Sequence, residues 1–516
     1  MRSGLFCDLM NLPWRGNPSP PVVAAARGTE GPPPTDEPDS EPLPSRSASF
    51  ARRHALFGAV LLAAIAVRVV VMLGFPGALL YHNDSAAYIA TALRMEPNQL
   101  HPDGYPVMLW LLEPFHSMAT VGGVQHAMGL GIGVLGYALL RRLRLPGWGA
   151  TLAMVPVLLS AYAIQIEHFL LSDTLFAFLV MIALVLMMWW PAPPLWACAL
   201  AGLLLAAAAV VRSEGIPLLI VFLACLLIRF AGWPTLAGVL VLCAGFAIPA
   251  AGYAAWFDSA HGTFELTTNE GAFLYATVTT FADCAKIKPP AAERRLCLHM
   301  PVSERQVYGP YYIWDGTSPI RAIRGGEFGN RANTLGTDFA LRAIRAQPLD
   351  YVRVVGQNFW QSFLLHGGNP SPLTIAWSGA QGLRRYMFPA VPPKWGAPQD
   401  DVPLFYAYDR AGPNLRVVQP YAGWIRAYQR FIVLSGPLLG LITLTGMVGL
   451  IVSWRRIGGP ALLPWLTGIA LLVIPAFIVF DVRYLVSAIP PLCVAAAIGV
   501  QQIVALGRGR GEAIQP

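Results

Sequence analysis

The amino-acid sequence predicts an all-α, polytopic membrane protein with about ten transmembrane helices. Hydrophobic residues make up 55% of the chain and charged residues only 12%, which is about half the charged share of an average soluble domain. The mean hydropathy is +0.52. Apolar stretches of about 20 residues, the length that crosses a bilayer, recur along most of the chain.

The predicted spans lie between two tails. Residues 1–50 are rich in proline and acidic residues and bury too little apolar surface to fold, so we expect a disordered cytoplasmic tail. Residues 51–256 form an N-terminal transmembrane catalytic module, residues 431–507 form C-terminal transmembrane helices, and residues 508–516 form a second cytoplasmic tail. The expected spans are 55–75, 119–140, 147–165, 173–190, 195–211, 215–231, 234–256, 431–453, 459–480 and 484–505.

Arginine residues orient these spans. They flank four of the predicted helices and are Arg52, Arg53, Arg141, Arg142, Arg144, Arg455, Arg456, Arg508 and Arg510. Positive residues favour the cytoplasmic side, so both termini are predicted to be cytoplasmic in the plasma membrane. The basic excess of 36 Lys+Arg over 28 Asp+Glu then indicates cytoplasmic loops and anionic lipid, and no nucleic-acid partner.

The same orientation places three segments outside the cytoplasm, 76–118, the short turn 166–172, and 257–430. The first outer loop predicts two surface helices, 84–95 and 105–115. The long outer segment, between spans 7 and 8, is long enough for a small core of its own. It predicts an α-rich segment with helices near 333–346 and 349–365 and Pro-rich loops near 389–398.

Two of the seven cysteines lie in the long outer segment, Cys284 and Cys297. An oxidising compartment favours a disulfide between them, which would stabilise the fold by about 3 kcal/mol. The alternative is a pair of free thiols in an irregular loop.

Ionisable residues near membrane depth are the most informative, since each costs roughly 2.5–3.5 kcal/mol or more at a helix centre. Four groups lie at the predicted outer face and are expected to converge on one site. They are Asp84; Glu167, His168 and Asp173; Arg212 and Glu214; and Asp481 and Arg483.

Each group also has a simpler interpretation. Asp84 could cap a helix that begins at Ser85, and Ser172-Asp173 could cap the fourth span. Arg212 and Arg483 could be interfacial anchors whose guanidinium groups reach the headgroups. The histidines of these regions, His82, His101 and His168, are individually weak signals, and no metal-ligand spacing is present.

These residues and their order resemble a polytopic GT-C glycosyltransferase of the family-39, lipid-carrier-dependent type. That type includes protein O-mannosyltransferases and lipid A aminoarabinose transferases. The matching features are Asp84 with Tyr88, Gly104-Tyr105-Pro106, Leu171-Ser172-Asp173-Thr174-Leu175-Phe176-Ala177-Phe178, Arg212, and Arg483-Tyr484-Leu485 with Pro490. They fall within about 55–260 and 430–505, and residues 257–430 match only loosely.

The resemblance implies transfer of a sugar from a polyprenyl-phosphate donor to a hydroxyl of a protein, glycan or lipid acceptor. Asp84 would be the general base, with Asp173 and Glu167 as acceptor-positioning or second carboxylates. Arg483 and Arg212 would hold the donor phosphate. Substrate contacts would come from Tyr88, Tyr105, His168 and Tyr484. Attack from the face opposite the phosphate would invert the anomeric centre.

The sequence departs from the resembling enzymes at several points. Ser85 follows Asp84 where the mannosyltransferases often have an Asp-Glu pair, and no Trp-Trp-Asp or outer Asp-x-Asp motif is present. We therefore expect no metal and no other cofactor. The alternative function is a transporter or glycolipid flippase, since charged residues also line transport cavities. Transporters of this size usually contain internal repeats, and the sequence shows none that would support this alternative. A receptor or assembly scaffold would explain the outer segment but not the charges at span ends.

Overall fold

The computed structural model describes most of the chain from residue 46 onward. The described residues are 46–230, 232–306, 309–364, 388–390, 402–413, 416–453, 459–478 and 480–507. The predicted tail at 508–516, most of the tail at 1–50 and most of the loop at 389–398 lie outside them. The described residues from Arg52 onward form one compact unit.

Helices dominate the described residues, where no β-strand is present, and this confirms the all-α prediction. In chain order the first ten are α1 Arg46–Gly74, α2 His82–Arg94, α3 Gly104–Leu112, α4 Met118–Arg142, α5 Gly147–Leu159, α6 Ala161–His168, α7 Asp173–Met188, α8 Leu195–Val211, α9 Gly215–Arg229 and α10 Trp233–His261. Those of the long outer segment are α11 Glu270–Thr279, α12 Cys284–Ile287, α13 Tyr311–Trp314, α14 Asn330–Ala346, α15 Pro348–Gln361, α16 Val402–Tyr408 and α17 Tyr421–Tyr428. The last three are α18 Gly436–Ser453, α19 Leu462–Ile478 and α20 Leu485–Gly507.

Several of these helices are suited to a membrane. Within the described ranges, four are long and apolar enough to cross one, namely Arg52–Gly74, Met118–Arg142, Trp233–His261 and Val482–Leu506. The bent pair α5 and α6 makes a fifth candidate, and α7, α8, α9, α18 and α19 are shorter apolar helices. Every predicted span therefore coincides with an apolar helix or a bent pair, while the number that crosses stays a prediction.

The bend between α5 and α6 shapes the interior. The two helices meet at 49°, where Ser160 has an extended backbone. Pro156, one turn earlier, removes a backbone donor from α5 and weakens the helix there. The bend turns α6 into the molecule, so that all of its residues except Tyr162 are buried.

The outer segment has a small core of its own, as the sequence predicts. Helix α11 packs against α14, and the rings of Tyr275 and Phe339 meet edge to face at 5.6 Å. Helices α14 and α15 confirm the two predicted near 333–346 and 349–365. Cys284 and Cys297 are joined by a disulfide beside this core.

Side chains of the outer segment bond to the C-terminal end of α19. Asn358 donates to the carbonyl of Ala476 at 3.0 Å and the Tyr351 hydroxyl to that of Phe477 at 2.9 Å. The Thr277 hydroxyl donates to the carbonyl of Ile478. The last carbonyls of a helix have no partner within it, so these bonds fix the chain just before the turn that carries Arg483.

Helix α2 differs from the expected surface helix. Its residues Ala86, Ile89 and Ala92 are buried, and α16 packs against it. The Tyr408 hydroxyl at the end of α16 donates to the carbonyl of Leu109 in α3 at 2.8 Å. The prediction was wrong because this cover comes from a part of the chain some 300 residues away, which the local pattern of α2 does not reveal.

Candidate active site

Asp84 lies in the first turn of α2, on a segment fixed by its neighbours. Leu79 and Phe169 form an isolated parallel bridge, and the Ser85 hydroxyl donates to the carbonyl of Leu170 at 3.0 Å. Helix α2 begins at His82, before Asp84, and shows no side-chain cap. The interpretation of Asp84 as a helix cap is therefore wrong.

The Asp84 carboxylate binds Arg483. Oδ2 of Asp84 lies 2.8 Å from a terminal nitrogen of Arg483, and both residues are largely buried. Burial by itself raises the pKa of Asp84, but Arg483 and His101 oppose it and hold that pKa well below its usual range. Asp84 is therefore ionised in this state.

Arg483 reaches Asp84 from a 3-10 helix, Val482–Tyr484, just before α20. The Asp481 carboxylate caps this turn by accepting from the Arg483 amide at 3.0 Å. The guanidinium carbon lies 4.7 Å from the ring centroid of Tyr81. A buried, paired and stacked arginine of this kind is not an interfacial anchor that reaches toward headgroups, so that interpretation is wrong for Arg483.

A second ion pair lies beside the first. Arg212, which follows α8, binds Asp173 at 2.9 Å through one terminal nitrogen and Glu214 at 3.0 Å through the other. The Tyr484 ring contacts both arginines, with its centroid 4.5 Å from the Arg212 guanidinium carbon and 5.3 Å from that of Arg483. The structure thus brings Asp84, Asp173, Arg212 and Arg483 together around Tyr484.

Asp173 begins α7 and is completely buried. The Ser172–Asp173 segment makes no side-chain cap bond to α7, so the capping interpretation fails here too. Tyr88 links α2 to this point, because its hydroxyl lies 3.1 Å from the Ser172 hydroxyl.

Among the four charged side chains around Tyr484, two polar atoms are buried without a hydrogen-bond partner among the described residues, Oδ2 of Asp173 and Nε of Arg483. Such groups are uncommon in folded proteins and call for an explanation, such as a substrate that binds them or another functional role. Oδ2 of Asp173 is an acceptor, which suits a substrate hydroxyl. Nε of Arg483 is a charged donor, which suits an anion.

Glu167 and His168 belong to a different cluster. Both oxygens of Glu167 accept from Arg68 at 2.7 Å, and one also lies 2.8 Å from Nδ1 of His126. Nε2 of His126 lies 3.1 Å from Nδ1 of His168, whose Nε2 donates to the carbonyl of Phe75 at 2.9 Å. This cluster joins α1, α4 and α6, so the structure does not place Glu167 beside Asp84 as the sequence suggested.

Tyr105 is also engaged elsewhere. It is completely buried, and its hydroxyl donates to the side chain of Gln125 at 2.7 Å. The Gln125 amide in turn donates to the carbonyls of Glu167 and Phe169 at 2.7 Å each. Tyr105 therefore packs α3 against α4, an arrangement that fits a structural role better than substrate contact.

Two further residues of these clusters, Arg68 and His101, have a signal in the sequence. Arg68 interrupts an apolar run inside α1, and an ionised group at such a depth needs a partner. His101, judged weak by itself, lies with Nε2 3.5 Å from Oδ1 of Asp84. No cluster of three or more metal-ligating side chains is found among the described residues, and metal independence stays a prediction.

No protein family and no curated protein matches the chain. Two solved structures of the Archaeoglobus fulgidus oligosaccharyltransferase do. The apo form is 14% identical with a TM-score of 0.43 over 90% of this chain and 53% of that one. The form tethered through a disulfide to an acceptor peptide with the NVT sequon is 14% identical with a TM-score of 0.38, over 88% and 50%. The chain thus spans about half the length of that enzyme, and a likeness at this level does not establish a shared activity.

Proposed function

We propose that the protein is a membrane glycosyltransferase. It moves a sugar from a polyprenyl-phosphate donor to an acceptor hydroxyl at the outer face of the membrane, with inversion at the anomeric carbon and without a metal. The observation that supports the proposal is that two buried ion pairs lie around the ring of Tyr484. They are Asp84 with Arg483 and Asp173 with Arg212.

The chemistry of the transfer calls for these groups. The acceptor hydroxyl must lose a proton as it attacks the anomeric carbon. The negative charge of the buried Asp84 carboxylate favours the removal of that proton. The lipid phosphate leaves with the electron pair of the broken bond, and a guanidinium stabilises the growing charge on its oxygens.

The two arginines differ in how many of their side-chain nitrogens are bound to carboxylates. Arg212 has both terminal nitrogens bound to carboxylates, which suits a role in orienting Asp173. Arg483 uses one terminal nitrogen for Asp84, and its Nε is buried without a partner among the described residues. Arg483 is therefore the first candidate for the donor phosphate, with Arg212 second.

We assign Asp173 to the acceptor. Its Oδ1 is held by Arg212, while Oδ2 is left to accept a hydrogen bond from a substrate hydroxyl. Glu167 has no such atom, because both of its oxygens are occupied, and we assign it a structural role. Tyr88 and Tyr484 line the site, with Tyr484 in contact with both arginines.

The test is a transfer assay. The purified protein in liposomes is given several radiolabelled polyprenyl-phosphate sugars, one at a time, with a membrane extract as the source of acceptor. We expect one label to leave the lipid and join an acceptor, with free polyprenyl phosphate as the second product. A label that only moves between leaflets while still on its lipid would instead indicate a flippase.

A further inference from the structure

The nine residues that join α2 to α3, residues 95–103, carry His101 to the Asp84 carboxylate; we call them the His101 loop. Nε2 of His101 is buried, lies 3.5 Å from Oδ1 of Asp84, and has no closer hydrogen-bond partner among the described residues. The imidazole stacks at a tilt on Tyr88, with centroids 4.9 Å apart.

The His101 loop is held from inside. The Asn98 side chain accepts from the amides of Leu100 at 2.8 Å and His101 at 3.2 Å. The backbone N–H of Asn98 donates to both carboxylate oxygens of Asp103, at 3.3 and 3.2 Å. These bonds fix the backbone on both sides of His101.

The same loop is held from outside by the end of α10 and by the two residues that precede α11. Nε2 of His261 donates to the carbonyl of Pro97 at 2.7 Å, and the Thr268 amide donates to that of Gln99 at 3.2 Å. The Asn269 side chain donates to the carbonyl of Leu100. A histidine that only faced solvent would not require a loop fixed by so many specific bonds.

Asp84 alone is a weak base in this setting. Its second oxygen is committed to Arg483, and a carboxylate paired with a guanidinium has little tendency to take up a proton. Catalytic bases work best when their pKa lies near the operating pH, and imidazole is the side chain that most readily meets this condition.

We propose that His101 is the residue that takes the proton from the acceptor hydroxyl, with Asp84 as its carboxylate partner. This rests on the proposed function. In this assignment Nε2 of His101, the nitrogen that faces Asp84, carries the hydrogen, and Nδ1 receives the proton. The acceptor oxygen bonds to the anomeric carbon as the bond to the lipid phosphate oxygen breaks, and the phosphate keeps the electron pair. The imidazolium, stabilised by ionised Asp84, then returns its proton to water.

The sugar-transfer assay with variants tests this assignment. We expect His101→Gln to lower kcat by about 10²–10⁴-fold while donor binding changes less than about threefold, because Gln cannot accept the proton. Added imidazole should restore part of the activity of His101→Ala. The matched control is His116→Gln, since His116 lies in the same outer loop and its one ion pair among the described residues is with Glu113, at 3.6 Å.

The pH profile separates a proton acceptor from a structural histidine. The groups around His101 are Asp84 and Tyr88 on α2 and Arg483 before α20, and Asp103 in the same loop also titrates. We expect the acid limb of kcat/KM to persist in Asp103→Asn and vanish in His101→Gln. In the wild-type protein, the midpoint of that limb should shift with temperature as imidazole does and a carboxyl group does not.

The outcomes are distinct. A wild-type protein that transfers no sugar contradicts the proposed function. A wild-type protein that transfers sugar, with His101→Gln retaining more than about a third of the activity, contradicts the role of His101 alone. If His101→Gln fails to fold, a temperature-independent acid limb in the wild-type protein still overturns the assignment.

Discussion

Among single residues, Arg483 has the surroundings that point most clearly to a ligand. It is buried, binds Asp84, contacts two tyrosine rings and keeps Nε without a hydrogen-bond partner in the described chain. Burying a guanidinium is unfavourable unless its hydrogen bonds are made. A lipid phosphate would complete them, which is why we assign the donor to this residue first.

Replacing Arg483 by lysine tests that assignment. The charge survives but the planar fork that grips two phosphate oxygens does not. We expect donor affinity and kcat to fall together, by at least about tenfold each, in titrations of donor binding and in initial-rate assays. The comparison is Arg212→Lys, where we expect a smaller loss of donor affinity because both ends of Arg212 already hold carboxylates. Equal donor affinity in Arg483→Lys and the wild-type protein would exclude Arg483 from the phosphate site.

Asp103 predicts a pH-dependent stability. Burial raises its pKa from 3.8 to about 7, against the hydrogen bonds from Tyr253 and the Asn98 amide, which lower it. Between these two values the folded protein holds a proton that the unfolded chain has lost, so the free energy of unfolding falls as pH rises from about 4 to 7. Thermal unfolding in detergent at pH 5 and pH 8 should show this fall in the wild-type protein and a much smaller one in Asp103→Asn. An equal fall in both proteins would contradict it.

Among structural elements, α1, α4 and α6 are joined by the buried cluster of Arg68, Glu167, His126 and His168. The cluster depends on a close approach at Gly129 of α4. A Cβ atom there would lie 2.0 Å from Oε1 of Glu167, so no larger residue fits without moving the carboxylate.

The variant Gly129→Ala should therefore destabilise the protein. Displacing Glu167 would leave the Arg68 charge buried and unpaired, and breaking a buried pair typically costs about 3–5 kcal/mol. The matched control is Gly123→Ala on the same helix, where an added Cβ meets nothing within 4 Å and alanine favours the helix. Thermal unfolding in detergent should show a lower midpoint for Gly129→Ala only. Equal midpoints for the two variants would mean that the cluster does not stabilise the helix contacts.

For the whole molecule, the arginine distribution predicts that the long outer segment lies outside the cytoplasm. We expect Ser303→Cys, at an exposed position of that segment, to react with a membrane-impermeant thiol reagent in intact cells. Arg52→Cys, at the other predicted face, should react only after permeabilisation, in a protein whose other unpaired cysteines are replaced. The reverse pattern would invert the topology and put the candidate site on the cytoplasmic side.

Much of this architecture follows from the sequence, but not all of it. Apolar length and span-end charge were enough to select Asp84, Asp173, Arg212 and Arg483, because buried charges need partners. The sequence pattern groups Glu167 with Asp173 because they are only six positions apart. Its real partner, Arg68, is 99 residues away, and the direction in which α6 bends cannot be read from the local pattern.

The most direct test of the proposed glycosyltransferase is the rate at which Asp84→Asn transfers sugar from its polyprenyl-phosphate donor. Asparagine keeps the size of the side chain but loses the charge that supports the base. We expect the rate to fall by about 10²–10⁴-fold, with donor binding retained, while Glu113→Gln at a more exposed position of the same outer loop keeps the wild-type rate. Wild-type activity in a correctly folded Asp84→Asn protein would contradict the account.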